Sequence, residues 1–339
     1  MVELEEIVLR TDEQHWLRPF AHAVGVHGRG KTERLQRVLT DFGIEESFAA
    51  GNRRLVEHYG FSLDASALRT ATLTHARRAA EVVAAETAQP YRSLPAQGPA
   101  TILAEADGSM VCTVPAATAR AAARPRQWQE IRLVAAQAVG CTETTYGATF
   151  GNVQVVGQQW GHAAKQAGRA LTSSIHVVCD GAAWLALQAR AIFGEDATVL
   201  TDFFHVSEYL AAAAPSCRPA NPAAWRHTQA QRLRRSASAL VIAELAQHGE
   251  PPETPDEQAP VRVAHRYLQN RPETLDYASA LAAELPIGSG LIESGHKHVL
   301  QRRLKLSGAA WLEENAEVIA QLRVFRANDR WNELWQLAA

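Results

Sequence analysis

Residues 175–205 read IHVVCDGAAWLALQARAIFGEDATVLTDFFH, and this stretch carries the strongest fold signal in the chain. An apolar run ends at Asp180, a helix-length segment follows, and a second apolar run ends at Asp202. Further strand-like runs lie upstream, one ending at Gly108, one beginning at Trp128 and one at Thr144. Three early strands followed by alternating helix and strand predict an α/β fold, a mixed sheet with helices on its faces.

Composition limits the classes of protein to which the chain can belong. With 339 residues, 47% of them hydrophobic, the chain can bury a large core and form more than one domain. No signal peptide and no membrane-spanning run is recognisable, so we expect a cytoplasmic, nucleoid-associated location and no membrane partner. The four cysteines lie far apart, which excludes a zinc ribbon. The net charge of −2 means that nucleic acid, if bound, meets local basic patches.

The N-terminal part resembles a phosphate-binding loop at one point. Residues 25–32, GVHGRGKT, fit the pattern G-x-x-x-x-G-K-[ST], which predicts nucleotide binding through Lys31 when a buried strand precedes the loop and a helix follows it. The preceding HWLRPFAHAV is a poor strand, because proline and histidines interrupt it. A basic turn before a helix is the favoured interpretation, and nucleotide binding is the alternative.

Three helices are predicted between Lys31 and residue 87. The first ends at Gly43, the second ends at Gly60, and Asp64 caps the third. This outline is that of a helix-turn-helix unit, and residues 51–80 carry a local net charge of +3. The alternative is a structural three-helix bundle. We expect DNA contacts from the five arginines of this segment, which are Arg53, Arg54, Arg69, Arg77 and Arg78.

Acids follow three of the predicted strands. Asp107, Asp180 and Asp202 each close an apolar run and precede a loop or bend. Carboxylates brought together repel one another unless a cation lies between them. Hard divalent cations such as Mg²⁺ take oxygen ligands and bind phosphate, so convergent carboxylates indicate phosphodiester chemistry. Each Asp considered alone is equally well explained by a turn.

A fourth acid begins a basic helix near the C-terminus, in LPIGSGLIESGHKHVLQRRLK, residues 285–305. Helical spacing predicts a buried face with Glu293, Lys297, Leu300 and Leu304, which carries the acid to the edge of the sheet. The opposite face is left free for phosphate, and it carries His298, Arg302 and Lys305. A first-turn acid favoured by the helix dipole is the structural alternative for Glu293.

Together these stretches resemble a DDE transposase of the Kra-type insertion-sequence family, related to the mutator-like transposases. The matching segments are ADGSM at Asp107, WQEIRL at Trp128, VVCDGAAWL at Asp180, LTDFFHVSEYL at Asp202 and the long C-terminal segment 285–335. The resemblance covers nearly the whole chain. Family members often carry a longer N-terminal part with cysteine pairs, which this chain lacks.

The resemblance implies a ribonuclease H-like core in which Asp107, Asp180 and Glu293 bind two Mg²⁺ or Mn²⁺ ions when DNA is present. Asp202 and His205 match a D-x-x-H motif as supporting residues. Asp202 and Glu105 are rival carboxylates for the metal, and the family match, not spacing, favours Asp180 over Asp202. The domain organisation that follows is a helical region with the helix-turn-helix unit (1–90, unit about 31–87), a linker (91–100), the first part of the core (101–210), a helical insertion (211–277) and the completing helices (278–339).

The function implied is DNA strand cleavage and transfer at the ends of an insertion sequence, by a homo-oligomer bound to double-stranded DNA. Basic side chains following Glu293 are expected to contact phosphates together with the N-terminal arginines; they are Lys297, His298, Arg302 and Lys305. A catalytically silent DNA-binding protein derived from a transposase is the second interpretation. Nucleotide binding through residues 25–32 is the third.

Overall fold

A computed structural model of the protein describes residues 7–10, 16–23, 26–27, 30–116, 125–194 and 197–336. Short elements come first: β1 (Leu9–Arg10), β2 (Trp16–Leu17), α1 (Pro19–Ala23), β3 (Val26–His27) and β4 (Lys31–Thr32). Three helices follow: α2 (Glu33–Glu45), α3 (Phe48–Tyr59) and α4 (Ala65–Thr87). Residues 88–100 contain no helix or strand.

Local capping explains where the three N-terminal helices begin and end. The side chains of Thr32, Ser47 and Asp64 each accept a hydrogen bond from a backbone N–H in the first turn of the next helix. Gly60 ends α3 in the left-handed conformation, as predicted, and the predicted cap at Asp64 is confirmed. The predicted end of the first helix at Gly43 is wrong, because α2 continues to Glu45.

Gly43 serves helix packing instead of helix termination. A Cβ built at this position would lie 2.0 Å from Oγ1 of Thr72 on α4, so only glycine permits this close approach of α2 and α4. The contact anchors a small apolar cluster of the three helices that includes Leu39, Leu55 and Leu68.

The central sheet has the strand order β7-β6-β5-β8-β9, with β10 paired to the end of β5. Strand β6 pairs antiparallel with both β5 and β7, whereas β8 and β10 run parallel to β5, and β9 runs parallel to β8. The predicted mixed α/β sheet is confirmed. Its strands are β5 (Thr101–Val114), β6 (Gln127–Ala138), β7 (Thr144–Thr149), β8 (Ser174–Cys179), β9 (Ala197–Thr201) and β10 (Trp311–Leu312).

The first long strand does not end where the sequence pattern predicted. The apolar run before Asp107 was expected to stop at Gly108, but β5 continues to Val114 and pairs with β6 along this whole length. Asp107 therefore lies within the strand, beyond the part of β5 that pairs with β8. The alternating apolar residues after Gly108 are the continuation of the same strand.

Helices cover both faces of the sheet. One face packs against α5 (Val153–Gln166) and α6 (Ala183–Phe193) through Trp160 and Phe193. The other face packs against α4 and α14 (Glu313–Ala327). Near β8 and β9 this second face meets helices that fill the long segment after β9; they are α7 (Phe203–Cys217), α8 (Pro222–Arg234), α9 (Ser238–Ala246), α10 (Pro260–Gln269) and α11 (Tyr277–Ala282).

The C-terminal helical segment completes the second face. It consists of α12 (Gly290–Gly295), a π-helical turn (His296–Gln301) and α13 (Arg302–Leu304), and it ends before β10. Helices α14 and α15 (Trp331–Gln336) follow. Because α4 and α14 share one core with β5 and β6, the N-terminal helices pack directly on the sheet.

The predicted phosphate-binding loop lacks the scaffold that its chemistry needs. Lys31 and Thr32 form a two-residue strand that pairs with β3, and the element before β3 is the short helix α1. Residues 24–25 and 28–29 lie outside the described residues. Nucleotide binding through Lys31 therefore gains no support from the described part of the chain.

Among the described residues, no helix is long and apolar enough to cross a membrane.

His75 on α4 makes the stability of the protein depend on pH. It is 5% exposed, its Nε2 lies 3.0 Å from Oε1 of Gln36, and its ring packs on Trp335. Burial, assisted by the positive charge of Arg78, lowers the pKa of His75 to about 4. A histidine whose folded pKa is depressed contributes stability above the unfolded pKa of about 6.5, and this contribution falls as pH drops towards 4.

We expect the wild type to lose about 2 kcal/mol of unfolding free energy relative to His75→Gln when pH falls from 7.5 to 5. Glutamine preserves a donor for Gln36 but cannot be protonated in this range. Urea unfolding of both proteins at several pH values measures the difference. If the unfolding free energies of the two proteins changed in parallel with pH, the lowered pKa of His75 would be contradicted.

Candidate active site

Strand register brings three aspartates side by side. In the parallel pairing, Glu105 of β5 lies opposite Val178 of β8, so two residues further along each chain are Asp107 and Asp180. The pairing of β8 with β9 ends at Cys179 opposite Thr201, and the next residues are Asp180 and Asp202. Alternation along each strand places all three aspartates on the same face of the sheet.

These acids line one cleft of about 280 Å³ with Glu293 of α12. The other polar residues of its wall are His205, Glu208 and Ser289. All five residues predicted as catalytic or supporting therefore share one site. No lysine or arginine lines the cleft among the described residues, so it is strongly negative and His205 is its only ionisable base.

Asp202 serves as a structural tether within this cluster. It is 2% exposed, and its Oδ1 accepts hydrogen bonds from the backbone N–H groups of Phe204 and His205 at the start of α7. Its Oδ2 accepts from both the backbone N–H and the hydroxyl of Ser289. Since four donors occupy the carboxylate, Asp202 joins β9 and α7 to the residue that precedes α12.

Glu105 supports the same helix from beneath. It is fully buried in β5, and its Oε2 accepts a hydrogen bond of 2.7 Å from the backbone N–H of Ile292. Burial raises the pKa of Glu105 to about 8, and the negative charges of Asp202 and Glu293 contribute to the rise. Glu105 and Asp202 thus hold the first turn of α12, and with it Glu293, beside the middle of β5 and the end of β9.

Asp180 is positioned by the helical segment that follows β9. The hydroxyl of Tyr267 on α10 donates to the carbonyl of Asp180, and Nε of Arg271 donates to the carbonyl of Gly181 at 2.7 Å. Oδ1 of Asp180 accepts from the N–H of Ala182 at 2.9 Å. The turn is therefore fixed by two side chains almost ninety residues away in sequence, which no local motif indicates.

Asp107 has a buried histidine as its neighbour. Oδ1 of Asp107 accepts from the N–H of Gly108 at 2.7 Å, and Oδ2 lies 3.5 Å from Nε2 of His296. Burial raises the pKa of Asp107 to about 6, and repulsion from Asp180 adds to the rise. Burial also lowers the pKa of His296 to about 4, so His296 is neutral at pH 7 and does not balance the carboxylate.

The predicted helix face containing Glu293 and Lys297 is wrong in its orientation. Leu300 and Leu304 are buried as predicted, but both charged residues are exposed. A regular helical spacing does not apply here, because the turn His296–Gln301 is π-helical and shifts the residues around the axis. Glu293 reaches the cleft from the exposed side of α12.

The donor set of the cleft is of the type that a hard divalent cation requires. Carboxylate oxygens of Asp107, Asp180 and Glu293 share the cleft, and no lysine or arginine among the described residues of its wall neutralises them. In the described residues, however, no group of three or more histidine, cysteine, aspartate or glutamate side chains is close enough together to hold an ion. The carboxylate oxygens are therefore the right type of ligand for a hard divalent cation. Because like charges repel, separated carboxylates are expected when no cation lies between them.

His205 lines the cleft and packs between aromatic rings. Its ring centroid lies 5.3 Å from that of Tyr209 and 5.8 Å from that of Tyr267, and its Nδ1 is 3.5 Å from Oε2 of Glu208. The side chain is thus both a packed residue and a possible donor into the cleft.

The predicted DNA-contacting residues lie mostly at the surface. Arg54 forms an ion pair of 2.8 Å with Glu46, Arg77 donates to Asn315, and Arg78 is half-buried. The remaining six are exposed: Arg53, Arg69, Lys297, His298, Arg302 and Lys305.

Sequence reasoning missed four residues that shape the site. Ser289 lies in a Gly-Ser-Gly stretch before an apolar helix start, which is a recognisable cap signal, although its hydroxyl bonds Asp202 instead. Tyr267, Arg271 and His296 carry no local signal, because their importance arises only from tertiary contact.

Comparison with known proteins does not assign the chain to a family. No protein-family model matches it, and a search of curated proteins finds no significant match.

Stability measurements can distinguish the buried, hydrogen-bonded Asp202 from the exposed Glu293. Asp202→Asn removes one carboxylate oxygen that accepts from Ser289, so we expect a loss of about 2–4 kcal/mol in unfolding free energy. Glu293→Gln changes an exposed side chain, and we expect a change of less than about 1 kcal/mol. Chemical denaturation of both variants without metal provides the comparison, and equal losses would contradict the distinction.

The turn after Asp180 requires glycine for two reasons. Gly181 has φ +82°, and an added Cβ would lie 2.6 Å from Nε of Arg271 and 2.8 Å from the hydroxyl of Tyr267. Gly140 has a similar φ of +88° but nothing within 4 Å of its added Cβ. Gly140→Ala therefore serves as a matched control that carries the backbone strain without the clash.

We expect Gly140→Ala to cost about 1–2 kcal/mol and Gly181→Ala to cost at least about 1 kcal/mol more. Thermal and urea unfolding of the two variants measure these values. If Gly181→Ala were no worse than Gly140→Ala, the packing of Tyr267 and Arg271 on this turn would not constrain Asp180.

Proposed function

We propose that this protein is a DNA transposase of the DDE type, a metal-dependent enzyme that cleaves and joins DNA strands at the ends of an insertion sequence. One observation carries the proposal: Asp107, Asp180 and Glu293, from three separate stretches of the chain, line one negative cleft. The strand order β7-β6-β5-β8-β9, three antiparallel strands beside two parallel ones, is that expected of a ribonuclease H-like core and supports the proposal.

Different residues of the chain would have different roles in such a reaction. Asp107, Asp180 and Glu293 would hold Mg²⁺ or Mn²⁺, and the bound ions would activate water or a DNA 3′-OH and stabilise the leaving oxygen. Asp202 and Glu105 hold α12 and thereby position Glu293. Tyr267 and Arg271 fix the Asp180 turn.

A covalent enzyme intermediate is not needed. Ser289 is the only hydroxyl among the described cleft residues, and it donates to Asp202, which leaves it unsuited to act as a nucleophile. The attacking group is therefore external, either water in the cleavage step or a DNA 3′-OH in the transfer step. In this proposal His205, which lines the cleft, would donate a hydrogen bond to a phosphate oxygen.

Double-stranded DNA is the substrate that the surrounding charge favours. The exposed residues Lys297, His298, Arg302 and Lys305 follow Glu293 on the same helical segment. Basic side chains beside a carboxylate site bind the phosphates next to the reacting one. Transposition at two element ends also requires the protein to act as a homo-oligomer on DNA.

The test is a nicking assay on a duplex that contains the terminal repeats flanking the gene, with Mg²⁺ or Mn²⁺. Asp107→Asn, Asp180→Asn and Glu293→Gln should each lower cleavage about a thousandfold, since each removes a charge needed to hold the ions. Glu253→Gln, an equivalent change at an exposed loop residue, should leave cleavage unchanged.

Binding of the same duplex distinguishes the alternatives. Specific DNA binding without metal-dependent cleavage would support a silent transposase-derived DNA-binding protein. Cleavage that survives both EDTA and the Glu293→Gln substitution would overturn the metal-dependent assignment. Retained folding of each variant, measured by circular dichroism, is the necessary control.

A further inference from the structure

A second cleft lies away from the carboxylates, between the N-terminal helices and the loop after α13. It has a volume of about 770 Å³, and its walls come from α3, α4 and residues 303–315. Arg69 and Arg303 contribute to this wall, and no acidic residue does among the described residues. The cleft is therefore positively charged, in contrast to the first.

Within the described residues, Arg303 is a buried cation that forms no ion pair, and the carboxylate of Glu45 acts on it only from a longer distance. Arg303 is 2% exposed, its Nε donates to the carbonyl of Gly43 at 3.0 Å, and its Nη2 is buried without a hydrogen-bond partner. The guanidinium carbon lies 4.8 Å from the ring centroid of Phe48 and 4.7 Å from that of Trp311. Ring faces offset part of the cost of burying the charge, but they do not replace an anion.

Arg323 shows how this protein otherwise buries an arginine. It is 6% exposed, and it donates to the carbonyls of Ile44, His298 and Val299. Its Nη1 also lies 3.3 Å from Oε2 of Glu45. Compared with Arg323, Arg303 has one hydrogen bond and, within the described part of the chain, no carboxylate within 4 Å.

The cleft also offers neutral donors and a second cation. Arg69 of α4 is exposed, and Ser47 and Ser307 line the wall. Arginine recognises phosphate through parallel N–H donors, and hydroxyl groups complete such sites. The unpartnered Nη2 of Arg303 and the donors beside it indicate the same ligand chemistry, that of a phosphate.

We propose that this cleft binds a phosphate group, and that Arg303 and Arg69 are its principal ligands. The DNA backbone is the source that we favour, a choice that rests on the proposed function. Arg303 follows Glu293 by ten residues on the same helical segment, which corresponds to about 15 Å along its axis. One duplex can therefore contact both clefts.

The first test measures the thermal unfolding midpoint with inorganic phosphate against chloride at equal ionic strength. Phosphate should raise the Tm of the wild type, Arg303→Met should abolish the rise, and Arg69→Ala should weaken phosphate affinity about tenfold. Arg34→Ala, a change at an exposed arginine of α2 outside the cleft wall, should leave the response as it is in the wild type. If Arg303→Met fails to fold, Arg69→Ala decides the result.

An equal response to phosphate in the wild type and in Arg69→Ala and Arg303→Met would overturn the site. The second test measures duplex DNA affinity against salt by fluorescence anisotropy. Arg69→Ala should reduce the slope of log affinity against log salt by about one. Arg69→Ala could instead lose the Tm response to phosphate but keep the wild-type salt dependence of DNA binding. That result would overturn DNA as the source of the phosphate and would assign a small phosphate ligand to the cleft.

The outcomes separate this proposal from the proposed function. If the wild type binds no duplex but still shows an Arg303-dependent phosphate response, the site stands and the transposase assignment fails. If nicking occurs but phosphate produces no Arg303-dependent response, the transposase assignment stands and the site fails.

Discussion

The lateral alignment of Asp107, which lies within β5, with Asp180 and Asp202, which follow β8 and β9, is the constraint on which the remaining structure depends. Three neighbouring carboxylates repel one another, so the fold must compensate their negative charge. It does so for Asp202 by surrounding the carboxylate with four donors from α7 and Ser289. Asp107 and Asp180 remain at the cleft, where Asp107 has a pKa raised to about 6 by burial and by Asp180.

The hydrogen bonds that the buried acids accept also organise the site. Ser289 and Ile292, on either side of the start of α12, are held by Asp202 and Glu105, and the exposed Glu293 is thereby placed over the sheet. The segment after β9 serves a similar purpose, since Tyr267 of α10 and Arg271, which follows α10, hold the Asp180 turn. A segment with no chemical motif of its own therefore shapes the cleft.

The same C-terminal segment connects two oppositely charged clefts. Glu293 lines the negative cleft. Arg303, ten residues later on the same helical segment, lines the positive cleft together with α3 and α4. Because α4 also packs into the main core through Ala76 and Ala79, the N-terminal helices have a fixed position relative to the sheet. In the proposed function, DNA would be held at the positive cleft and cleaved at the negative one.

Composition and periodicity were sufficient to predict the mixed α/β sheet, the strands before Asp180 and Asp202, and the caps at Gly60 and Asp64, because these depend on local burial and local backbone bonding. Sequence spacing did not reveal the extension of β5 past Asp107 or the π-helical turn that exposes Glu293 and Lys297. Nor could spacing rank Asp180 against Asp202, since both follow strands in the same way. Only the tertiary structure separates them, because the four donors that occupy Asp202 come partly from Ser289, eighty-seven residues away.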